Sequence, residues 1–525
     1  MERASLSRTG YKNKHWICAA LLIAFGIFIR LVAFGMYPDG LNHDEAFAGY
    51  EAFSLLHYGV DSAGYQNPCY FVAWGSGMNV LESYLAIPFM KLFGCSVITL
   101  RLPQLLCACI SLFVFYLLLK KIFSAKTALL GLGLLTISPW HIMLSRWGLE
   151  SNLAPAFLLF GFYFFIRGLE NNRYWILSAV MYGLSLYSYA ITWFIVPVTI
   201  LFNGIYLSVS KQKVSFQYVM RSFMILCLFA LPLILFVFVN YGLLPEISTR
   251  YLSIPKLLSM RDAEISMGNL FSASSYNNFF NVFIKQDDGM LWNSTADFGL
   301  YYKWSLPFIL LGGVKLSMAA WKKVRRKIFC CETMILFGIL WSVVVCLLIS
   351  NLNVNKANSL HFYMLILLTI GIREIFMLCK RHAIILKTLL CCYAVSFAFF
   401  LSFYFSSYNE QISYLFRAGT EDAVAYVKEQ EFSDVCVDSE IYYPQILFFD
   451  QTPQPVFADT VKYANYPSAH VHVEKFGRYS FGIDYDDLNS HEAYIIKQEQ
   501  CDLFAGAGFE TVRFDHFSVA YRSSS

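Results

Sequence analysis

Asn42-His43-Asp44-Glu45 stands just beyond an apolar segment, residues 16–36, that is long enough to cross a bilayer. Four polar residues, two of them carboxylates, leave this first hydrophobic span and enter a long polar and aromatic loop. That arrangement suits an enzyme working at a membrane surface. Of the 525 residues, 57% are apolar and 18% aromatic, while only 14% are charged, which marks a polytopic membrane protein. The net charge of +4 makes no case for nucleic-acid binding. Arg3, Arg8, Lys12 and Lys14 precede the first apolar stretch as in a signal peptide, but its length and the lack of a small-residue cleavage pattern favour a retained helix.

Hydropathy predicts eleven spanning helices, near residues 16–36, 98–119, 127–144, 153–168, 174–190, 191–208, 222–243, 304–320, 332–350, 359–379 and 385–405. With the N-terminus in the cytoplasm, every short basic cluster falls on that side: Lys120/Lys121/Lys126, Arg167/Arg173, Lys211/Lys213/Arg221, the run 322–327, and Lys380/Arg381/Lys387. Loops 37–97, 145–152, 244–303 and 351–358 are then exoplasmic, as is the chain after about 406. Segment 80–93 is too short to span and contains Pro88; it and 44–58 are expected to lie along the interface. The chain divides into a transmembrane part, 1–407, and a small exoplasmic mixed α/β domain, 408–525, with a helical stretch 421–430 and β-prone runs at 435–437 and 493–496. Most of the 14 cysteines lie in apolar runs, and there is no CxxC or Cys/His metal spacing. Cys436 and Cys501 either pair, if that domain is extracellular, or stay free.

Asn42 has the identity of a helix N-cap, and Glu45 sits where a capping-box acid reaches back to it. Asp44 then occupies the first turn, where the helix dipole favours its ionised form. Successive helical side chains diverge by about 100°, so Asp44 and Glu45 do not easily share one ligand point. Arg30, inside the first span, needs a phosphate or carboxylate partner, or else snorkels to the headgroups. Arg146 and Glu150 are spaced as a helical surface pair, and beside Asp44 they would instead hold a phosphate and orient a sugar. His141 at the membrane boundary reads as structural. Asp287, Asp288, Trp292, Asp297, Tyr301, Tyr302 and Lys303 mix aromatic and polar groups as sugar sites do, and as interfacial belts also do. Lys356, among Asn351, Asn353, Asn355 and Asn358, is either a second phosphate contact or an interfacial anchor.

Arg30, the run 40–46, Gly59-Val60-Asp61 with Gly64, Pro68, Tyr84 with Pro88, Leu92-Phe93-Gly94, Arg101-Leu102-Pro103, Ser138-Pro139-Trp140 and Ser145-Arg146 follow one another in order. Together they resemble the bacterial GT-C glycosyltransferases of the protein O-mannosyltransferase and aminoarabinose transferase type, glycosyltransferase family 39, over about residues 20–380. The resemblance implies a GT-C fold, a polyprenyl-phosphate-linked sugar donor, an exoplasmic site in the plasma membrane, inversion at the anomeric carbon, and a first-loop carboxylate as general base. Asp44 matches that base and Glu45 the second acid of the motif. Arg30, Arg146 and Lys356 are the expected donor-phosphate contacts, and His43, Glu150, Tyr301 and Tyr302 the expected substrate contacts. Glu150 stands where relatives most often carry Asp, and Lys356 where Arg is expected; a Lys neutralises phosphate but cannot make a two-pronged contact. The resemblance leaves a divalent metal at Asp44 and Glu45 open, and the acceptor as protein, lipid or wall polymer. Two other classes compete. A lipid-linked sugar transporter or flippase is opposed by sparse mid-membrane charge and the lack of paired halves, and a surface-binding or scaffold protein rests on the C-terminal domain alone.

Overall fold

The computed structural model describes residues 2–209, 213–259, 264–326, 328, 330–379 and 382–522. Lys211, Lys327, Lys380 and Arg381 of the basic clusters lie outside the described residues, as do the side chains of Arg3, Arg8 and Lys12. Among the described residues, eight helices are long and apolar enough to cross a membrane: Lys14–Leu31, Val97–Ile122, Thr192–Val209, Phe216–Asn240, Lys303–Arg325, Cys331–Leu348, His361–Leu378 and Ala383–Tyr404. The other three expected spans are helical but differ in extent. Segment 127–144 breaks into Ala125–Thr136 and Pro139–Leu144, because Ser138, as the residue before a proline, is extended. Segment 153–168 is the helix Glu150–Gly168, and 174–190 shortens to Tyr174–Ser185 before the chain turns into Thr192–Val209. The multi-pass helical architecture is that expected from hydropathy.

Local signals set the helix ends. Ser96 and Thr99 form a reciprocal capping box at the start of Val97–Ile122, and Lys120 and Lys121 sit in its last turn, where the dipole favours cations. Helices Leu306–Arg325 and His361–Leu378 meet backbone to backbone at Gly312 and Gly371. A Cβ there would lie 1.9 Å from the carbonyl oxygens of Leu367 and Phe308, so neither position has room for a side chain.

The helix His43–Tyr58 departs from the interfacial expectation. Every residue from Glu45 to Ser54 is buried, because a C-terminal layer packs over the helix. Phe47, Tyr50 and Phe53 share a core with Val437, Ile446, Leu447 and Phe448, and the Tyr50 hydroxyl donates to the Thr452 carbonyl at 3.0 Å. Helix Leu81–Phe93 buries Leu81, Ala86 and Met90 and exposes Leu92 and Phe93.

The C-terminal layer is built on a seven-stranded sheet, ordered Lys462–Tyr463, Val473–Phe476, Tyr479–Phe481, Val435–Val437, Ala493–Lys497, Phe517–Tyr521, Glu510–Arg513. Val435–Val437 pairs in parallel with both of its neighbours, and the other pairings are antiparallel. Strand alternation gives the sheet two apolar faces. Val435, Val437, Ala493 and Ile495 face the core shared with His43–Tyr58, whereas Cys436, Tyr494 and Ile496 face a second core with Cys501 and Phe504. Cys436 and Cys501 are buried in that second core as free thiols.

Glu51 and Asp61 form a buried acid pair under this layer. Asp61 Oδ1 accepts the Tyr65 N–H at 2.7 Å, and Glu51 accepts the Ser62 N–H at 2.8 Å. Burial pushes the Asp61 carboxyl up from 3.8 to about 7, and burial with the neighbouring Asp61 charge pushes Glu51 well above its ordinary value. Between those two values for Asp61 the folded protein holds a proton that the unfolded chain has released, so stability falls as pH rises through the window. Melting in detergent should therefore shift to lower temperature from about pH 4 to about pH 7, and Asp61→Asn should flatten that slope, leaving the part that the buried Glu51 contributes. A slope unchanged in the variant would assign it to other groups.

Candidate active site

Asn42 is extended and its side-chain oxygen accepts the Asp44 N–H at 2.9 Å, which starts the helix and sets Asp44 in its first turn. Asp44 Oδ1 accepts the Trp74 indole N–H at 2.9 Å, and the side chain remains 37% exposed, on a cavity of about 710 Å³. Trp74 is a non-glycine residue at φ 55°, a conformation that needs support from its surroundings. The C-terminal layer supplies that support: the His470 ring stacks on the indole at 5.0 Å, and the Val471 N–H donates to the Trp74 carbonyl at 2.8 Å. His43 packs against Trp74 and Tyr442, with Nε2 3.8 Å from Asp44 Oδ1, and also lines the cavity.

Glu45 turns the other way. Its carboxylate, fully buried, accepts Arg101 Nε and Nη2 at 2.6 and 2.9 Å and the Gly148 N–H at 2.6 Å. Arg101 spends its remaining donors on the carbonyls of Pro38 and Gly40, both at 2.8 Å. Glu45 thus pins the loop before Asp44 and is not the capping-box acid expected; a guanidinium fork outcompetes one backbone N–H for a buried carboxylate. Gly148 has no room for a side chain, because the carboxylates of Glu45 and Glu82 stand where its Cβ would be. Glu82 is buried with both oxygens unpartnered; burial, then the charges of Glu45 and Glu150, push its carboxyl well above its ordinary value.

Two of the three expected phosphate contacts are engaged elsewhere. Arg146 donates to the carbonyls of Ile29, Arg30, Val32, Ala33 and Tyr37 at 2.8–3.3 Å. Ile29 and Arg30 lie in the last turn of the first helix and Val32, Ala33 and Tyr37 in the segment after it, so Arg146 caps the helix and holds the turn that follows. Arg30, fully buried, bonds the carbonyls of Gly26, Leu135 and Thr136 and His141 Nδ1, joining the first helix to Ala125–Thr136. His141 is accordingly structural. Neither arginine lines the cavity. Lys356 does, as the single Lys or Arg of the wall among the described residues, held by Glu264 at 2.7 Å.

Glu150 also faces the cavity, at the first turn of its helix, and accepts the Asn79 N–H. Tyr301 and Tyr302 do not. The Tyr301 hydroxyl meets His361 Nδ1 at 2.5 Å and the Tyr302 hydroxyl donates to the Ile137 carbonyl at 2.8 Å, which places both in the helix bundle. Asp288 accepts from Asn293 and from the Val354 N–H, tying loop 287–295 to the Lys356 corner, and Trp292 of that loop reaches the cavity. Asn79, Ser76, Ser151, Trp74 and Glu264 carried no signal in the sequence. They are isolated polar or aromatic residues, in loops or, for Ser151, at a helix start, whose neighbours only the fold supplies.

The opposite wall is apolar, made by Trp193, Phe194, Phe236, Val237 and Leu257 near the ends of two membrane helices and the loop after them. The cavity thus joins, among the described residues, an acidic end, a single lysine and an apolar wall near the ends of two long apolar helices. Among the described residues no three His, Cys, Asp or Glu converge on a metal-binding point, and Glu45 faces Arg101 rather than standing beside Asp44.

Residues 80–239 match the model of the dolichyl-phosphate-mannose-protein mannosyltransferase family, a stretch that includes Arg101, Arg146 and Glu150 but neither Asp44 nor Lys356. No curated protein sequence matches the chain. Among solved structures, ArnT from Cupriavidus metallidurans in the apo state is similar at 11% identity and TM-score 0.55, over 97% of this chain and 98% of that one. ArnT bound to undecaprenyl phosphate is similar at 12% identity and TM-score 0.55 over the same shares. The oligosaccharyltransferase AglB from Archaeoglobus fulgidus, in complex with an inhibitory peptide and a dolichol-phosphate, is similar at 12% identity and TM-score 0.50, over 84% of this chain and 64% of that one. The family match thus covers residues 80–239, and the fold of the chain is that shared with ArnT and AglB.

Proposed function

We propose that this GT-C glycosyltransferase takes its sugar from a polyprenyl phosphate and transfers it to an acceptor hydroxyl, with inversion, at the exoplasmic face of the plasma membrane. The observation that carries the reading is that Asp44 and Lys356 share one cavity whose remaining wall is apolar and reaches the ends of membrane helices. A prenyl chain suits the apolar wall, a phosphate suits Lys356, and the anomeric carbon then lies between Lys356 and the acid end. Asp44 takes the acceptor proton as the hydroxyl oxygen attacks that carbon; the bond to the phosphate oxygen breaks on the opposite side, which inverts the centre. Lys356 balances the charge that grows on the departing phosphate, a task for which a point charge suffices. Trp74 holds Asp44 in place through the indole N–H. The exoplasmic assignment rests on the basic clusters, which all fall on the side away from the Asp44 loop.

Purified protein given a polyprenyl phosphate carrying a radiolabelled sugar should release free polyprenyl phosphate in the presence of acceptor. No release with any neutral or amino sugar would sink the reading. Lys356→Gln should lower the rate of release by about 100-fold, while Glu264→Gln, which frees the lysine from its ion pair, should not. Equal losses in both variants would make the pair structural.

A further inference from the structure

We propose that Ser76, Asn79 and Ser151 form the subsite that grips the hydroxyl groups of the donor sugar. The inference rests on the glycosyl-transfer reading above. All three residues line the cavity that holds Asp44, and each is more than nine-tenths buried. Ser76 Oγ, Ser151 Oγ and both amide atoms of Asn79 have no hydrogen-bond partner. Buried polar atoms are rarely left in this state, because each has lost its water without gaining a replacement. Four such atoms, on three residues that all line one cavity, describe the complement of a ligand.

The chemistry of the wall narrows that ligand. An amide and two hydroxyls offer donors and acceptors together. A phosphate accepts only and would face the Asn79 amide oxygen and the Glu150 carboxylate without a donor to offer. A prenyl chain would leave all four atoms orphaned. A polyol both donates and accepts, and satisfies every atom. The wall is also built in advance: Glu150 holds the Asn79 backbone N–H, and the Asn358 amide donates to the Ser151 carbonyl at 2.7 Å. Neighbouring residues thus fix the backbone and leave these side chains to the sugar.

Binding separates this subsite from the rest of the cavity. Full-length protein in nanodiscs is titrated with a polyprenyl phosphate hexose and, in parallel, with polyprenyl phosphate lacking sugar. Asn79→Ala should weaken the hexose lipid by about tenfold or more and leave the sugarless lipid unchanged. Should that variant not fold, the Ser76→Ala/Ser151→Ala double variant carries the same comparison. Unchanged affinity for the hexose lipid would mean that the wall holds water only, and equal weakening of both lipids would mean a general collapse of the cavity; either overturns the subsite. Wild-type protein that binds neither lipid would instead overturn the transfer reading on which the subsite depends.

Discussion

Asp44→Asn should reduce sugar transfer by about 10²- to 10⁴-fold while the protein inserts and melts like the wild type. The separation of the two effects follows from the geometry. An Asn oxygen can still accept the Trp74 indole N–H that Asp44 Oδ1 accepts at 2.9 Å, and the substituted side chain stays on the wet side of the helix. The variant cannot take up a proton, which is the one property the reaction asks of this residue. Initial rates of lipid-phosphate release, set beside melting curves from tryptophan fluorescence, measure both quantities. Turnover at the wild-type rate would remove Asp44 from the chemistry, and lost activity with a lowered melting point would make it a cap and no more.

The largest loss of stability is expected from Arg101→Ala, which leaves the Glu45 carboxylate charged and fully buried. Removing one partner of a buried ion pair typically costs about 3–5 kcal/mol, and here the carbonyls of Pro38 and Gly40 also lose their donors. Those carbonyls belong to the loop that delivers Asn42 and Asp44, so the damage should appear as lowered yield and melting temperature with activity falling in step. A double variant, Glu45→Gln with Arg101→Met, should recover much of the loss, since it removes the stranded charge as well as its partner. Arg101→Ala protein that melts with the wild type would show that water or another cation reaches Glu45, contrary to the closed geometry in which the Gly148 N–H and the guanidinium surround it.

How far the site could be read from sequence depended on the range of the interactions behind each residue. Asp44 was legible because its setting is local: a cap two residues before it, a helix that it opens, and a hydrophobic span just upstream. Glu45 carried the same local signal, and the capping reading failed because its true partner lies 56 residues away. Arg30 and Arg146 show the same limit. A cation in or near an apolar segment announces that it needs acceptors, but not whether a phosphate or a backbone will supply them. Here backbone carbonyls supply them: those at and just after the end of the first helix for Arg146, 116 residues away in the case of the Arg30 carbonyl, and those of Leu135 and Thr136 for Arg30. Lys356 lines the cavity, yet its counter-ion Glu264 had no signature in the sequence.

By itself, the sequence determined that this is a many-helix membrane protein with a separate α/β layer after it and an acid at the mouth of the first span. Transfer free energy adds up residue by residue along the chain, so a hydrophobic run declares itself without reference to its neighbours. Only the tertiary structure decided which charges are free to act. It set the C-terminal sheet over the helix His43–Tyr58, where the Gln445 amide donates to the Leu41 carbonyl across 404 residues, and braced Trp74 against Asp44. It also locked Arg30 and Arg146 onto backbone carbonyls, away from the cavity that Lys356 lines. Hydrogen bonds and ion pairs act only between groups that folding brings within about 3 Å, and that proximity is a property of the assembled chain.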